Sequence, residues 1–235
     1  MTTTLITGAN KGLGYETARR LIAAGHTVYI GARDPQRGKE AATDLGAHYL
    51  PLDVTSDDSV DAAARQLEAE AGRLDVLINN AGISGPRHPA RELTADDLLA
   101  TYDVNVFGPV RMLHRFLPLL DRSDHPVVVN VSSGLGSIAT AVDPEVWPPA
   151  VPVWVYAAGY GSSKAALNML TVQYARQLPE LRINTVDPGF TATDFNNHRG
   201  VQSVEKGAEI IVRLATIGPN GPTGQYLSLD GNVPW

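Results

Sequence analysis

Apolar residues along the chain alternate between short continuous runs and longer stretches in which they return every three or four positions. Thr3-Thr4-Leu5-Ile6 reads as a strand that stops at Thr7-Gly8. Over residues 11–24, Leu13, Ala18, Leu21 and Ile22 recur at helical spacing, and Gly25 supplies the stop. Val28-Tyr29-Ile30 is a second strand, and Pro35 opens a polar helix that ends at Leu45 before Gly46. Residues 48–54 read as a third strand. Ser56 is a natural N-cap, with Asp57 and Asp58 placed to favour the helix dipole and Val60, Ala64, Leu67 and Ala71 as the buried face. Val76-Leu77-Ile78 and Val127-Val128-Val129 are apolar throughout, as in strands covered on both faces of a parallel sheet. Thr94 caps a long helix reaching about residue 120, and a further helix spans residues 160–178. A strand over 183–186, a helix through Val204, Ala208, Ile211 and Val212, and a last strand over 226–229 complete the pattern.

Seven strands alternating with six helices across short turns predict an α/β fold, a doubly wound, mainly parallel sheet with helices on both faces. Its functional loops should gather where the strands' C-terminal ends lie. No linker, repeat or low-complexity tract interrupts the 235 residues, so 1–235 reads as a single domain. Hydrophobic residues at 43% and charged ones at 19% exclude a disordered chain. A net charge of −6 without any basic block argues against nucleic acid or an anionic membrane as partner. The absence of cysteine excludes disulfides, thiol catalysis and cysteine-ligated metals, and the six histidines show no paired ligand spacing, so no metal is expected. With no secretory signal ahead of the Thr3 strand, the expected setting is the cytoplasm.

Thr7-Gly8-Ala9-Asn10-Lys11-Gly12-Leu13-Gly14 joins the first strand to the first helix. Its glycines permit a tight turn, and the helix start offers free N–H groups to a pyrophosphate. Tyr160 and Lys164 stand four apart, so on a helix they share one face. Asn79-Asn80-Ala81-Gly82 follows the fourth strand, Asn105 lies in the next helix, Ser132-Ser133 end the fifth strand, and Pro188-Gly189-Phe190-Thr191-Ala192-Thr193 follow the sixth. Neither serine sits in a G-x-S-x-G elbow or near a histidine in sequence, which disfavours hydrolysis.

In type and order these six motifs resemble the short-chain dehydrogenase/reductase superfamily. Asn10-Lys11, Gly31-Ala32-Arg33-Asp34 and the terminal Val233-Pro234-Trp235 look like its carbonyl-reductase-like branch. The resemblance implies a seven-stranded Rossmann fold binding NAD(P), and an oxidoreductase that moves hydride between nicotinamide and a carbonyl or alcohol. A dinucleotide-binding sensor on the same fold is the alternative. The implied catalytic set is Asn105, Ser133, Tyr160 and Lys164. Tyr160 would exchange the proton, and Ser133 would steady the developing oxyanion. Lys164 would hold the ribose and lower the tyrosine's pKa from its usual value of about 10. Asn105 would hold a water linking Lys164 to solvent. Ser132 is the weaker serine, because neighbours on a strand face opposite ways.

The implied cofactor contacts are Gly8, Asn10, Lys11, Gly12, Leu13, Gly14, Arg33, Asp53, Val54, Asn79, Ala81, Gly82, Tyr160, Lys164, Pro188, Gly189, Thr191 and Thr193. Arg33 and Lys11 facing the 2′ position favour NADPH over NAD, which stays possible because Asp34 is one residue away. Residues 134–159 form an insertion longer than the family's usual interval, with Trp147, Trp154 and three prolines. It is expected to wall the substrate cleft, to cover the helix face used for tetramers, or both. Ser133, Tyr160, Trp154 and Phe195 are the expected substrate contacts. The scarcity of charge over 131–161 favours an apolar carbonyl or alcohol, and the insertion favours a monomer or dimer.

Overall fold

The computed structural model describes residues 1–146 and 156–235. Trp147 and Trp154, and with Trp154 one expected substrate contact, lie outside the described residues. The elements alternate as the apolar pattern requires: β1 (Thr3–Thr7), α1 (Gly12–Ala23), β2 (Thr27–Ala32), α2 (Pro35–Leu45), β3 (His48–Pro51), α3 (Asp57–Ala71) and β4 (Val76–Asn79). Then follow α4 (Ala95–Tyr102), α5 (Gly108–Leu120), β5 (Val127–Val131), α6 (Ile138–Val142), α7 (Ala158–Gln177), β6 (Arg182–Val186), α8 (Val204–Ala215), β7 (Tyr226–Ser228) and β8 (Gly231–Asn232).

The sheet runs β3-β2-β1-β4-β5-β6-β7-β8 and is parallel up to β7. The expected seven strands are joined by an eighth, the two-residue β8, which turns back antiparallel on β7 through Leu227↔Asn232 and Ser228↔Gly231. So short a strand carries no apolar period, and only its neighbour reveals it. Residues 52–54, expected in the third strand, leave the sheet after Pro51, where the Asp53 N–H turns to the Ser59 hydroxyl (2.9 Å).

Alternate side chains of the buried strands feed two cores, which explains their unbroken apolar runs. Leu5, Tyr29, Leu50, Leu77, Val128 and Ile183 pack with α3, α5 and α7. Ile6, Ile30, Ile78, Val129, Val131 and Val186 face α1, α2 and α8. Ser56 caps α3 through the Ser59 N–H (3.2 Å), and Thr94 and Asp97 form a reciprocal capping box at α4. The predicted single helix over 94–120 is α4 and α5 joined by one π-turn, Asp103–Phe107. Pro109 lacks the N–H that an α-helix would send to the Asn105 carbonyl, so the chain takes up an extra residue there. Arg111 and Arg115, expected as free surface charges, tie α5 to its neighbours through Asp103 (2.8 Å) and Asp61 (2.6 Å). No helix among the described residues is long and apolar enough to cross a membrane.

The chain order along the sheet reverses between β1 and β4. Open α/β sheets place their ligands at such a switch, above the carboxyl ends of the strands.

Candidate active site

A cavity of about 740 Å³ opens over the carboxyl ends of the parallel strands. At one end stands the glycine turn. Gly8 and Gly12 adopt φ of 65° and 58°, and a Cβ on Gly8 would meet the Ala81 backbone at 3.0 Å. Helix α1 begins at Lys11 with no side-chain cap, unlike α2, α3, α4 and α8. Its first N–H groups are left for a ligand, the arrangement a pyrophosphate needs. The asparagine after β4 locks this turn: Asn80 Nδ2 donates to the carbonyls of Thr7 (2.8 Å) and Gly8 (3.1 Å), while Thr7 Oγ1 accepts the N–H groups of Asn80 and Ala81.

Gly8, Asn10, Lys11, Gly12, Leu13, Arg33, Asp53, Val54, Ala81, Gly82, Pro188, Gly189, Thr191 and Thr193 line the cavity with Tyr160 and Lys164. Asn79 and Gly14 do not. Asn79 points the other way and donates to Asn130 Oδ1 (2.8 Å) inside the core, and its neighbour Asn80 faces the cavity instead. Gly14 lets α1 approach the turn, since a Cβ there would lie 2.8 Å from Ala9 Cα and 2.6 Å from Asn80 Nδ2. Around the adenosine end, Asp34 is not a competitor of Arg33. Its carboxylate caps α2, accepting from Gln36 (3.0 Å) and Arg37 (3.1 Å), whereas Arg33 lines the cavity. Lys11 Nζ bonds Asp194 (3.0 Å), whose other oxygen takes His198 Nε2 (2.8 Å).

At the other end, Ser133, Tyr160 and Lys164 converge. The Ser133 hydroxyl reaches Tyr160, while Ser132 is buried with its Oγ unpartnered. Lys164 is buried, donates to the Val131 carbonyl (2.7 Å) and lies 5.6 Å from the Tyr160 ring centre. Burial brings its pKa down to about 8. For Tyr160, burial pushes the phenol up, the Ser133 hydrogen bond pulls it down, and the charge of Asp187 adds to the rise. The expected lowering by Lys164 is therefore outweighed in the protein itself, because the ammonium is directed at a carbonyl and the phenol is deep in the cavity.

Asn105 is buried behind this group and does not line the cavity. Its side chain accepts from the Ile83 N–H (2.9 Å) and donates to the Ile83 carbonyl (2.9 Å) and Ser163 Oγ (3.0 Å). It thus fixes the loop after β4. Phe195 tilts against Tyr160, with ring centres 5.6 Å apart. Ile83, Leu135, Phe190 and Val201 extend this wall. Asp187, Arg87 and Phe190 line the cavity although sequence reasoning missed them. For Asp187 a signal existed: an ionisable residue closing a buried strand directly before Pro188-Gly189.

The family model for short chain dehydrogenases matches residues 2–145. The chain is 39% identical to short-chain dehydrogenase anuI of Penicillium roqueforti over 91% of its own length and 88% of that protein. It is 33% identical to (+)-neomenthol dehydrogenase of Arabidopsis thaliana, covering 95% of each. The crystal structure of NADPH-bound carbonyl reductase from chicken fatty liver superposes with a TM-score of 0.85 at 28% identity, over 100% of this chain and 99% of that one. The glycine turn, the Tyr160–Lys164 pair and these likenesses lead to one assignment: the chain belongs to the short-chain dehydrogenase/reductase superfamily, in its carbonyl-reductase-like branch, and is an NAD(P)-dependent oxidoreductase.

Proposed function

We propose that this chain is an NADPH-preferring carbonyl reductase for apolar small molecules, able to run in reverse on the alcohol. We take 1–235 as one dinucleotide-binding domain, with 134–159 inserted beside the substrate end. The observation that carries the reading is the convergence of Ser133, Tyr160 and Lys164 in the same cavity as an uncapped glycine turn.

When bound, the reduced nicotinamide supplies the hydride. The chain supplies the proton and the charge stabilisation. Tyr160, held in its neutral form by burial, keeps a proton ready for the carbonyl oxygen. Ser133 Oγ donates to the same oxygen and steadies the charge that develops on it. Lys164, 5.6 Å from the Tyr160 ring, favours the phenolate left behind and binds the ribose. Asn105 has three of its four side-chain hydrogen-bonding positions filled by protein, so the π-turn carbonyl is the group it offers to a relay water.

Preference for the 2′-phosphate rests on Arg33, which lines the cavity while Asp34 is held at the start of α2. Lys11 assists, shared with Asp194. That the chicken carbonyl reductase is described as NADPH-bound supports the same choice. Phe190, Phe195, Ile83, Leu135 and Val201 make the substrate wall apolar. The test is to incubate the folded protein with NADPH and a panel of aldehydes, ketones and quinones. NADPH oxidation above background with at least one carbonyl is expected. None with any, from protein shown to bind dinucleotide, refutes the reading.

A further inference from the structure

Strand β6 sends Ile183 and Thr185 toward α7, where Thr185 Oγ1 donates to Asn168 Oδ1 (3.1 Å). Two residues on, the same alternation brings Asp187 out beneath the catalytic turn. Asp187 is 5% exposed, yet it lines the cavity. Its carboxylate accepts the Gly189 N–H (3.0 Å) and the Gly134 N–H. Gly134 directly follows Ser133, and Gly189 directly follows Pro188. The residue's own N–H is fixed in the sheet by the Leu227 carbonyl (2.8 Å), and the Tyr226 hydroxyl holds the Ser133 carbonyl from the same strand. Asp187 therefore bridges two turns that the chain brings together only in the folded state.

We propose that Asp187 is a positioning residue: its ionised carboxylate holds the Ser133–Gly134 turn against the Pro188–Gly189 turn and so sets where Ser133 Oγ stands beside Tyr160. Its consequence for turnover rests on the carbonyl-reductase reading; the bridge itself does not. An ionised carboxylate is acceptor-only and suits two N–H donors, whereas a protonated acid or an amide turns a donor of its own toward one of them.

The groups around it are Tyr160 and Lys164 from α7, Tyr226 from β7, and Asp230 from the turn before β8. No cation neutralises it, since Lys164 donates to Val131 instead. Burial accordingly raises its pKa to about 6, against the two N–H bonds and with the help of Asp230. The sign follows. Above about pH 6 the carboxylate is ionised and the bridge is complete; below it, protonation removes one of the two N–H bonds. For stability the sign is opposite, because a carboxyl whose pKa rises on folding favours the fold when protonated. A buried charge kept at a cost to stability fits a role in the site better than a role in the core.

The experiment compares wild type, Asp187→Asn and Asp230→Asn. In wild type, kcat should fall on the acid side with a midpoint near pH 6, and the Gly134 and Gly189 amide resonances should titrate with the same midpoint without any cofactor. Asp187→Asn should lose both titrations and turn over about 10- to 10²-fold more slowly, with little change in the carbonyl KM and a Tm at pH 7.5 equal to or above wild type. Asp230→Asn should move both midpoints to lower pH and leave the plateau rate unchanged. Absence of both titrations in wild type overturns the proposal, as does an Asp187→Asn enzyme with wild-type kcat or with a much lower Tm. If no carbonyl is reduced by wild type, the reductase reading fails while the amide titrations still decide the bridge.

Discussion

Replacing Arg33 with alanine isolates the charge on which the cofactor preference rests. Arg33 is exposed at the cavity's adenosine end, and Asp53 is the acid that feels its charge. Asp34, the carboxylate best placed in sequence to oppose a 2′-phosphate, is bonded to two N–H groups of α2 at 3.0 and 3.1 Å. A hydrogen bond to a charged group contributes about 1.5–3 kcal/mol when shielded, and an exposed ion pair about 0–1 kcal/mol. An exposed guanidinium meeting a phosphate falls between, at about 1–2 kcal/mol, or roughly 5- to 30-fold in Kd. Fluorescence titration of wild type and Arg33→Ala with NADPH and NADH measures it. NADPH should weaken by that factor and NADH by less than about 2-fold, with the difference shrinking as salt is raised. Equal losses for both cofactors would refute the reasoning and give Arg33 a place in the fold or against adenine. The same titration reads the Lys11–Asp194 pair: Asp194→Asn releases the ammonium and should tighten NADPH a few-fold by mass action, without affecting NADH.

Three further outcomes follow from the geometry. Tyr160→Phe keeps the ring against Phe195 and removes the proton donor, so kcat should fall at least about 10²-fold with the NADPH Kd nearly unchanged; a variant with most of its activity would place the acid elsewhere. Lys164→Ala should impair both turnover and dinucleotide affinity, and a loss confined to one of them would remove its second role. Light scattering at micromolar concentration should give one or two times 25.1 kDa, and a mass four times that would show the α4–α5 and α7 faces, with exposed Leu99, Phe107 and Met169, engaged in a tetramer.

Much of this protein was legible before folding because its signals are local. A continuous apolar run such as Val127-Val128-Val129 means a strand covered on both faces, and the two cores on either side of the sheet show why. Gly8 and Gly12 announce a turn whose φ values only glycine adopts without strain, and Tyr160 and Lys164 share a helix face because they are one turn apart. Ser56, Asp34 and Thr94 cap the helices they precede, since capping involves the next three residues alone.

What the sequence could not determine depends on where distant segments meet. Asn79 and Asn80 are the same residue type, and only the register of β4 against β5 turns one to Asn130 and the other to the glycine turn. The π-turn at Asn105 arises where α4 meets the Gly108-Pro109 start of α5. Lys11 and Asp194 are a pair across 183 positions of chain. Asp187 is an unremarkable acid in sequence; its bridge between Gly134 and Gly189 exists because β5 and β6 lie side by side with both turns at one edge. Local chemistry thus determined the elements, the glycine turn and the catalytic pair. Tertiary packing decided which side chains face the cavity, which are held elsewhere, and which buried charge the site retains, because those depend on contacts that no stretch of sequence contains.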